Sequence, residues 1–449
     1  MQDSHDSSAF AKRVKKHVIG KRHRFVAVSP LGFEDTLVWE LSKILDASQG
    51  SESEAPHAIA DGKVEFTAKI TEAWKVVAYS RIANRVLMEI GSFKAENFGQ
   101  LEKHTAEIPW ELFLENRCSG LKLHATCKHS RLYHSDAVEE RVQRILEEKF
   151  AIETGDAPKD GQSQATPQHL YINFLDDRCS LWLDLAGEEL YKRGHDRFVA
   201  EAPLKETIAA AMILEAIRQN QGAPIVTIID PMAGSGTFSL ETAYMANGLI
   251  PGKCRDFALK HQPAFKEATW NYIVGEKQET TVDRECTTDD KCADGASQMS
   301  LHKPISIVTS DISERAIEII QHNVHNSPLP EGSIIPKKRD FFSYKAEEFP
   351  DTALILLNPP YGKRLDVDAP ALYAKIGQFL QGKIFENEQK SNIQVAILVP
   401  KNQCRERLLA ACSAMNLRKN FSVIEKNTSH GGFSLSVFFI KKCNFAPLC

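Results

Sequence analysis

No Cys-x-x-Cys pair occurs among the ten cysteines of this 449-residue chain. Neither paired-cysteine zinc spacing nor a disulfide framework is therefore written into it, and reduced thiols are the expectation. Cys286 and Cys292, with His302 nearby, are the single hint of metal ligands, and their polar surroundings read as an accidental placement, so no metal is expected. No apolar run approaches the roughly 20 residues of a membrane-crossing helix, which argues against a membrane role. The first ten residues are polar and acidic and a basic stretch follows. The apolar middle and cleavage site of a secretory signal are thus missing, and a cytoplasmic location is expected. An excess of positive charge is missing too: the net charge is −4, which by itself argues weakly against nucleic acid. Distribution matters more than the sum, because Lys12 to Arg24 reads KRVKKHVIGKRHR without one acid. That run is either a solvated tail or an RNA contact.

At this length two or three domains are expected. Residues 25–28 and 64–66 read as strands, with an amphipathic helix over 36–45 between them and a Ser/Glu/Pro-rich loop over 48–56. Helical stretches at 73–79 and 137–150 follow, and the low-complexity run 153–166 reads as a loop. Residues 170–174 and 179–185 form a hairpin turning at Asp176-Asp177-Arg178. This first part, to about residue 186, is mixed α+β. Beyond it the grammar changes: apolar strands at 225–229, 305–308, 353–357 and 395–399 alternate with helices, as in a doubly wound parallel sheet. A hairpin over 421–424 and 434–440 closes the pattern, and the polar stretch 276–300 reads as a mobile insertion.

Directly after the 225–229 strand stands Asp230-Pro231-Met232-Ala233-Gly234-Ser235-Gly236-Thr237, with a helix starting at Thr237. Glycines let backbone pass close to a ligand, and a helix start offers free N–H groups. A bare Gly-x-Gly is weak evidence, and position 239 is Ser rather than a third Gly. Asp311, followed by Ile312, ends the next strand, where a carboxylate can hold ribose hydroxyls. Asp340-Phe341 follows a further charged segment. Glycine turn, Asp311 and Asp340 together fit an adenosine-bearing cofactor at the carboxyl edge of the sheet.

Asn358-Pro359-Pro360-Tyr361, at the end of the 353–357 strand, carries the most information. An exocyclic amine on a nucleobase is a poor nucleophile, because its lone pair is delocalised into the ring. Two acceptors on its hydrogens favour the pyramidal form and the charge that grows as a methyl group arrives. The Asn358 side chain and the Pro359 carbonyl can be those acceptors, the prolines hold them rigid, and Tyr361 offers a face for an unstacked base. A structural reading, a rigid turn capping a strand, competes when the tetrad stands alone. It weakens downstream of the glycine turn and Asp311. No Pro-Cys pair occurs, so the usual nucleophile context for carbon-5 methylation of pyrimidines is absent.

Together these residues resemble the bacterial THUMP-domain class I methyltransferases of the ribosomal RNA guanine-N2 family. DPMAGSGT looks like that family's glycine motif and NPPYGKR like its catalytic motif. RGHDRF and APLKETIAAAMI resemble the segment ahead of its core, and GFEDTLVWEL, SRIANRVLMEI, IPWELF and CKHSRLYHSD its upstream segments. The resemblance implies a Rossmann-like domain with a seven-stranded, mostly parallel sheet, preceded by an α+β ferredoxin-like and THUMP region. Its segments are a basic leader at 1–24, a ferredoxin-like part at 25–62, THUMP at 63–186 and the methyltransferase domain at 187–449. It implies S-adenosylmethionine as cofactor, held by Ala202, Pro203, Leu204, Asp230, Met232, Gly234, Gly236, Thr237, Asp311, Ile312, Asp340, Phe341 and Asn358. Asn358, Pro359, Pro360 and Tyr361 would form the amine site, and large-subunit ribosomal RNA would be the partner, with no DNA expected. Three departures stand out: Ala233 where Cys is frequent, the 276–300 insertion and the basic leader. Rival readings are a tRNA guanine-N2 enzyme, a DNA N6-adenine enzyme and a non-catalytic RNA-binding protein.

Overall fold

The computed structural model describes residues 2–46, 54–115, 120–150, 154, 166–199, 203–220, 225–275, 305–361, 368–387, 390, 392–417 and 421–442. The 276–300 stretch, Cys286, Cys292 and His302 lie outside them, as does nearly all of the expected loop at 153–166. Among the described residues no group of His, Cys, Asp or Glu is placed to hold a metal ion, and no helix is long and apolar enough to cross a membrane. Two compact units emerge: residues 1–29, 38–194 and 251–277 form one, and 30–37, 195–250 and 278–449 the other.

The first unit is built on seven strands: β1 (Arg22–Val28), β2 (Glu54–Ala60), β3 (Lys63–Lys69), β4 (Arg85–Lys94), β5 (Leu121–Lys128), β6 (Gln168–Leu175) and β7 (Arg178–Asp184). Their order is β2-β3-β1-β4-β7-β6-β5. Neighbours run antiparallel except β5 and β6, which are parallel. A parallel pair needs a crossover, and the helix Ser135–Phe150 supplies it, burying Val138, Val142 and Leu146 against Leu170, Ile172 and Leu181. The expected hairpin forms at Asp176 and Asp177, both with positive φ, the backbone of a two-residue turn matched to strand twist. The loop expected over 48–56 is corrected at its end, because β2 starts at Glu54 and takes its ladder from β3. Val64, Phe66 and Ala68 give β3 a buried face, whereas β2 shows no such alternation to read.

The basic run is structured as well. The helix Gln2–Val14 passes into a further helical turn at Lys15–Ile19, Val14 and Val18 are buried, and β1 begins at Arg22, ahead of the expected 25. Arg24 pairs with Glu65 and Glu89 on the neighbouring strands, and Arg13 with Glu111. Those cations are therefore partly neutralised within the protein rather than standing in a solvated tail.

The second unit also holds seven strands: β8 (Thr227–Asp230), β9 (Ser306–Asp311), β10 (Lys337–Lys338), β11 (Thr352–Leu357), β12 (Asn392–Pro400), β13 (Phe421–His430) and β14 (Phe433–Lys442). Their order is β10-β9-β8-β11-β12-β14-β13. The first five run parallel, and β14 lies antiparallel between β12 and β13. This mixed seven-stranded sheet is the methyltransferase-like fold the sequence leads one to expect. Strands β8, β11 and β12 are apolar runs buried along nearly their whole length, as strands covered on both faces must be. Residues 30–37 join this unit: Phe33 is buried edge-on to Phe439, and Thr36 donates to the buried Glu215 at 2.7 Å. Gly32 has φ of +79°, and a Cβ there would stand 2.2 Å from the Asn427 carbonyl oxygen, so glycine alone fits.

Candidate active site

Parallel strands deliver their carboxyl ends to one edge of the sheet, and loops at that edge form the ligand mouth. β8 ends there with Asp230 and β9 with Asp311, in register Asp230↔Thr309. β11 pairs with β8 as Leu354↔Ile228 and Ile355↔Ile229, so Asn358 leaves the same edge. Three of the expected site positions are thus brought together by topology alone.

The turn between β8 and the helix Thr237–Ala246 places Gly234 and Gly236 at φ +55° and +78°. A Cβ on Gly236 would press on Ile320 at 3.1 Å, so that glycine serves packing. A Cβ on Gly234 would meet nothing within 4 Å among the described residues, which leaves an open cradle beside the strand ends. Gly234 N–H donates to Asp311 Oδ2 and Ser313 N–H to Oδ1, each at 2.9 Å. The carboxylate is oriented by these bonds and keeps lone pairs for hydroxyl donors. Asp230 is fully buried and accepts on Oδ2 from Ser239 N–H (3.2 Å) and Ser239 Oγ (2.7 Å), while its Oδ1 has no partner among the described residues. Burial, helped by the Asp311 charge, outweighs those bonds and pushes its carboxyl up to about 7.

Other expected contacts divide. Asp340 caps the short turn Phe341–Ser343 by accepting from Phe342 N–H at 3.0 Å. Phe341 is buried with its ring against Phe379, and Met232, partly buried, lies against that same core. Ile312 is 67% exposed beside Asp311. Leu204 is buried, the Pro203 carbonyl accepts from His430 Nε2 at 2.9 Å, and Ala202 lies outside the described residues. That bond makes Nε2 the protonated nitrogen, and burial lowers the His430 pKa, so the imidazole stays neutral.

At the tetrad, Asn358 Oδ1 is buried and has no hydrogen-bond partner among the described residues. A buried amide oxygen left unpaired costs about 1–3 kcal/mol, a cost that a donor from a ligand removes. The Pro359 carbonyl lies 3.4 Å from the Tyr373 hydroxyl, which lies 2.9 Å from the Leu398 carbonyl. A hydroxyl has one proton, and the shorter contact claims it, so the Pro359 oxygen retains acceptor capacity. Tyr361 is half-buried, burial pushes its phenol up to about 12, and its neutral ring stands edge-on to Phe433 at 5.7 Å and 78°.

Sequence reasoning missed a clamp on the glycine turn. Arg197 pairs with Glu206 and donates to Thr237 Oγ1 at 3.0 Å. Asn323, 1% exposed, accepts from Phe198 N–H at 2.8 Å and donates to the Phe198 carbonyl (2.9 Å) and the Ser235 carbonyl (3.1 Å). One signal was available: in the helix Glu314–His325, Ala316, Ile317, Ile320 and Asn323 share the buried stripe, and Asn323 is its polar member.

Residues 193–428 match a family model, UPF0020, described as RMKL-like, methyltransferase domain. The "Putative RNA methyltransferase YpsC" of Bacillus subtilis (strain 168) is 26% identical over 363 residues, covering 80% of this chain and 84% of that protein. "Ribosomal RNA large subunit methyltransferase K/L" of Syntrophotalea carbinolica is 29% identical over 364 residues. The match covers 80% of this chain and 47% of the relative, so the chain spans about half of that protein's length. Among solved structures, SMU.472 complexed with SAH superposes with a TM-score of 0.68 at 22% identity, covering 94% of this chain and 98% of that one, which is a likeness of fold.

Proposed function

The chain belongs to the UPF0020 family of RMKL-like methyltransferase domains, and from that premise we propose that it methylates an exocyclic amine of RNA, guanine N2 of large-subunit ribosomal RNA. S-adenosylmethionine is the methyl donor of such enzymes and supplies a sulfonium-activated methyl group when bound. The open cradle at Gly234, the start of the following helix at Thr237 and the oriented Asp311 carboxylate fit that molecule. Asp230, Asp311 and Asp340, with the backbone of 234–237, would hold it, and the Pro203-Leu204 segment would lie beside it.

The single observation that carries the amine-site reading is the buried Asn358 Oδ1, unpaired among the described residues. It accepts one hydrogen of the target amine, and the Pro359 carbonyl accepts the other. Both interactions strengthen as positive charge grows on nitrogen, so they favour the transition state over the ground state. Tyr361 holds the base by its face. Neither acceptor is basic enough to keep a proton, so the one lost from nitrogen passes to water. We assign the RNA-gripping role to the first unit, which holds the expected ferredoxin-like and THUMP part over 25–186 apart from residues 30–37, and a cytoplasmic location to the protein.

The test is methyl transfer from labelled S-adenosylmethionine to ribosomal RNA from cells lacking this gene, beside tRNA and duplex DNA. Labelling of large-subunit RNA at guanine N2 is expected. Asn358→Ala should slow transfer by about a hundredfold or more with S-adenosylhomocysteine binding nearly intact. Labelling of DNA alone, or undiminished transfer by Asn358→Ala, overturns the reading.

A further inference from the structure

Phe433 stands at the tip of the β13–β14 hairpin and is 44% exposed. Single exposed rings are ordinary on protein surfaces. This one stands perpendicular to Tyr361, with centroids 5.7 Å apart. Topology explains why they meet. β12 runs parallel to β11 and ends at Pro400, and β14 returns antiparallel with Pro400↔Leu435, so β14 begins at the edge where Asn358 emerges.

The tip is held in place. Gly431 and Gly432 have φ of +57° and +82°, the backbone of a tight two-residue turn. His430 and Phe433 form the cross-strand pair that closes it, and His430 fastens the turn to the Pro203 carbonyl. Among the described residues nothing lies within 4 Å of where a Cβ would stand on either glycine, so the turn itself borders open space. A pinned, exposed ring beside an open space is suited to a large planar ligand.

We propose that Phe433 is a substrate-positioning residue that makes an aromatic corner with Tyr361 to receive the unstacked target base. A base laid flat on one ring presents its edge to the other, and this fixes its rotation about the stacking axis. Stacking alone tolerates any base and any rotation. A second, perpendicular ring selects the rotation that carries one exocyclic amine to Asn358. The inference rests on the amine-methylation reading.

The experiment compares Phe433→Ala, Phe433→Leu and Phe433→Tyr in the full chain, using ribosomal RNA from cells lacking the gene as acceptor. S-adenosylhomocysteine affinity is measured in parallel by calorimetry, and it also reports that each variant folds. The Ala and Leu variants should lose about fivefold to a hundredfold in kcat/KM for RNA, the range one aromatic stack supplies. Phe433→Tyr should stay near wild type, and S-adenosylhomocysteine affinity should hold throughout. A Leu variant as active as wild type reduces Phe433 to apolar filling and overturns the inference. A parallel fall in S-adenosylhomocysteine affinity overturns it too, by making the hairpin a cofactor or folding element. Asn358→Ala in the same assay separates the two ideas. If it alone is inactive, the amine site stands and the aromatic corner falls; if it matches wild type, both fall.

Discussion

At the scale of single residues, two glycines two positions apart in one turn carry different burdens, although the sequence marks them alike. Gly236 is hemmed in by Ile320, whereas Gly234 borders empty space at φ +55°. Alanine at 234 therefore costs about 1–2 kcal/mol for its left-handed backbone and clashes with no atom of the described residues. We expect Gly234→Ala to remain folded, with a modestly lower melting temperature, while its affinity for S-adenosylhomocysteine drops by more than about tenfold, because the added methyl would fill the cradle. Calorimetry and a thermal melt on one preparation check both halves. An unchanged affinity would move the cofactor elsewhere. Asn358 differs in kind, since its significance lies in an oxygen that no described residue binds.

At the scale of elements, the clamp from Asn323 to Phe198 and Ser235 fixes the glycine turn against the segment that precedes it. Asn323→Ala leaves the Phe198 N–H and carbonyl without those partners, so we expect it to lower the stability of the second unit by about 2–3 kcal/mol and to raise the KM for S-adenosylmethionine more than it lowers kcat. Urea denaturation and steady-state kinetics measure these effects, and a kcat-only defect would argue against a role in holding the turn. The clamp was hard to read in advance because Phe198 and Asn323 are 125 residues apart, and no local pattern reports such a pairing. Strands β8, β9, β11 and β12 were legible from their apolar runs, and so was the Asn358-Pro359-Pro360-Tyr361 corner at a strand end. β10 is two exposed lysines whose strand character comes only from lying beside β9, so no hydrophobic signal marked it. Phe433 escaped notice for a related reason: in sequence it is one aromatic after a Gly-Gly turn, and only the return of β14 across β12 brings it to Tyr361.

At the scale of the whole molecule, a buried carboxyl makes stability depend on pH. Asp230 ordinarily ionises near 3.8 but does so at about 7 in the folded chain, so between those values the folded state keeps a proton that the unfolded state has released. The stability this residue contributes accordingly falls as pH rises through that window. Asp230→Asn should show a shallower decline than wild type when urea midpoints are compared across it, and identical slopes would refute the shift. The chain's path through the two units has a further consequence, for biosynthesis. Gly32 leaves the ribosome early, yet Lys426, whose ammonium donates to its carbonyl, comes 394 positions later, and the Asn427 backbone that Gly32 packs on follows it. The second unit therefore cannot close around residues 30–37 until Lys426 and Asn427 have been synthesised. A nascent chain must shelter that early turn throughout, which makes the stretch a natural client for chaperones.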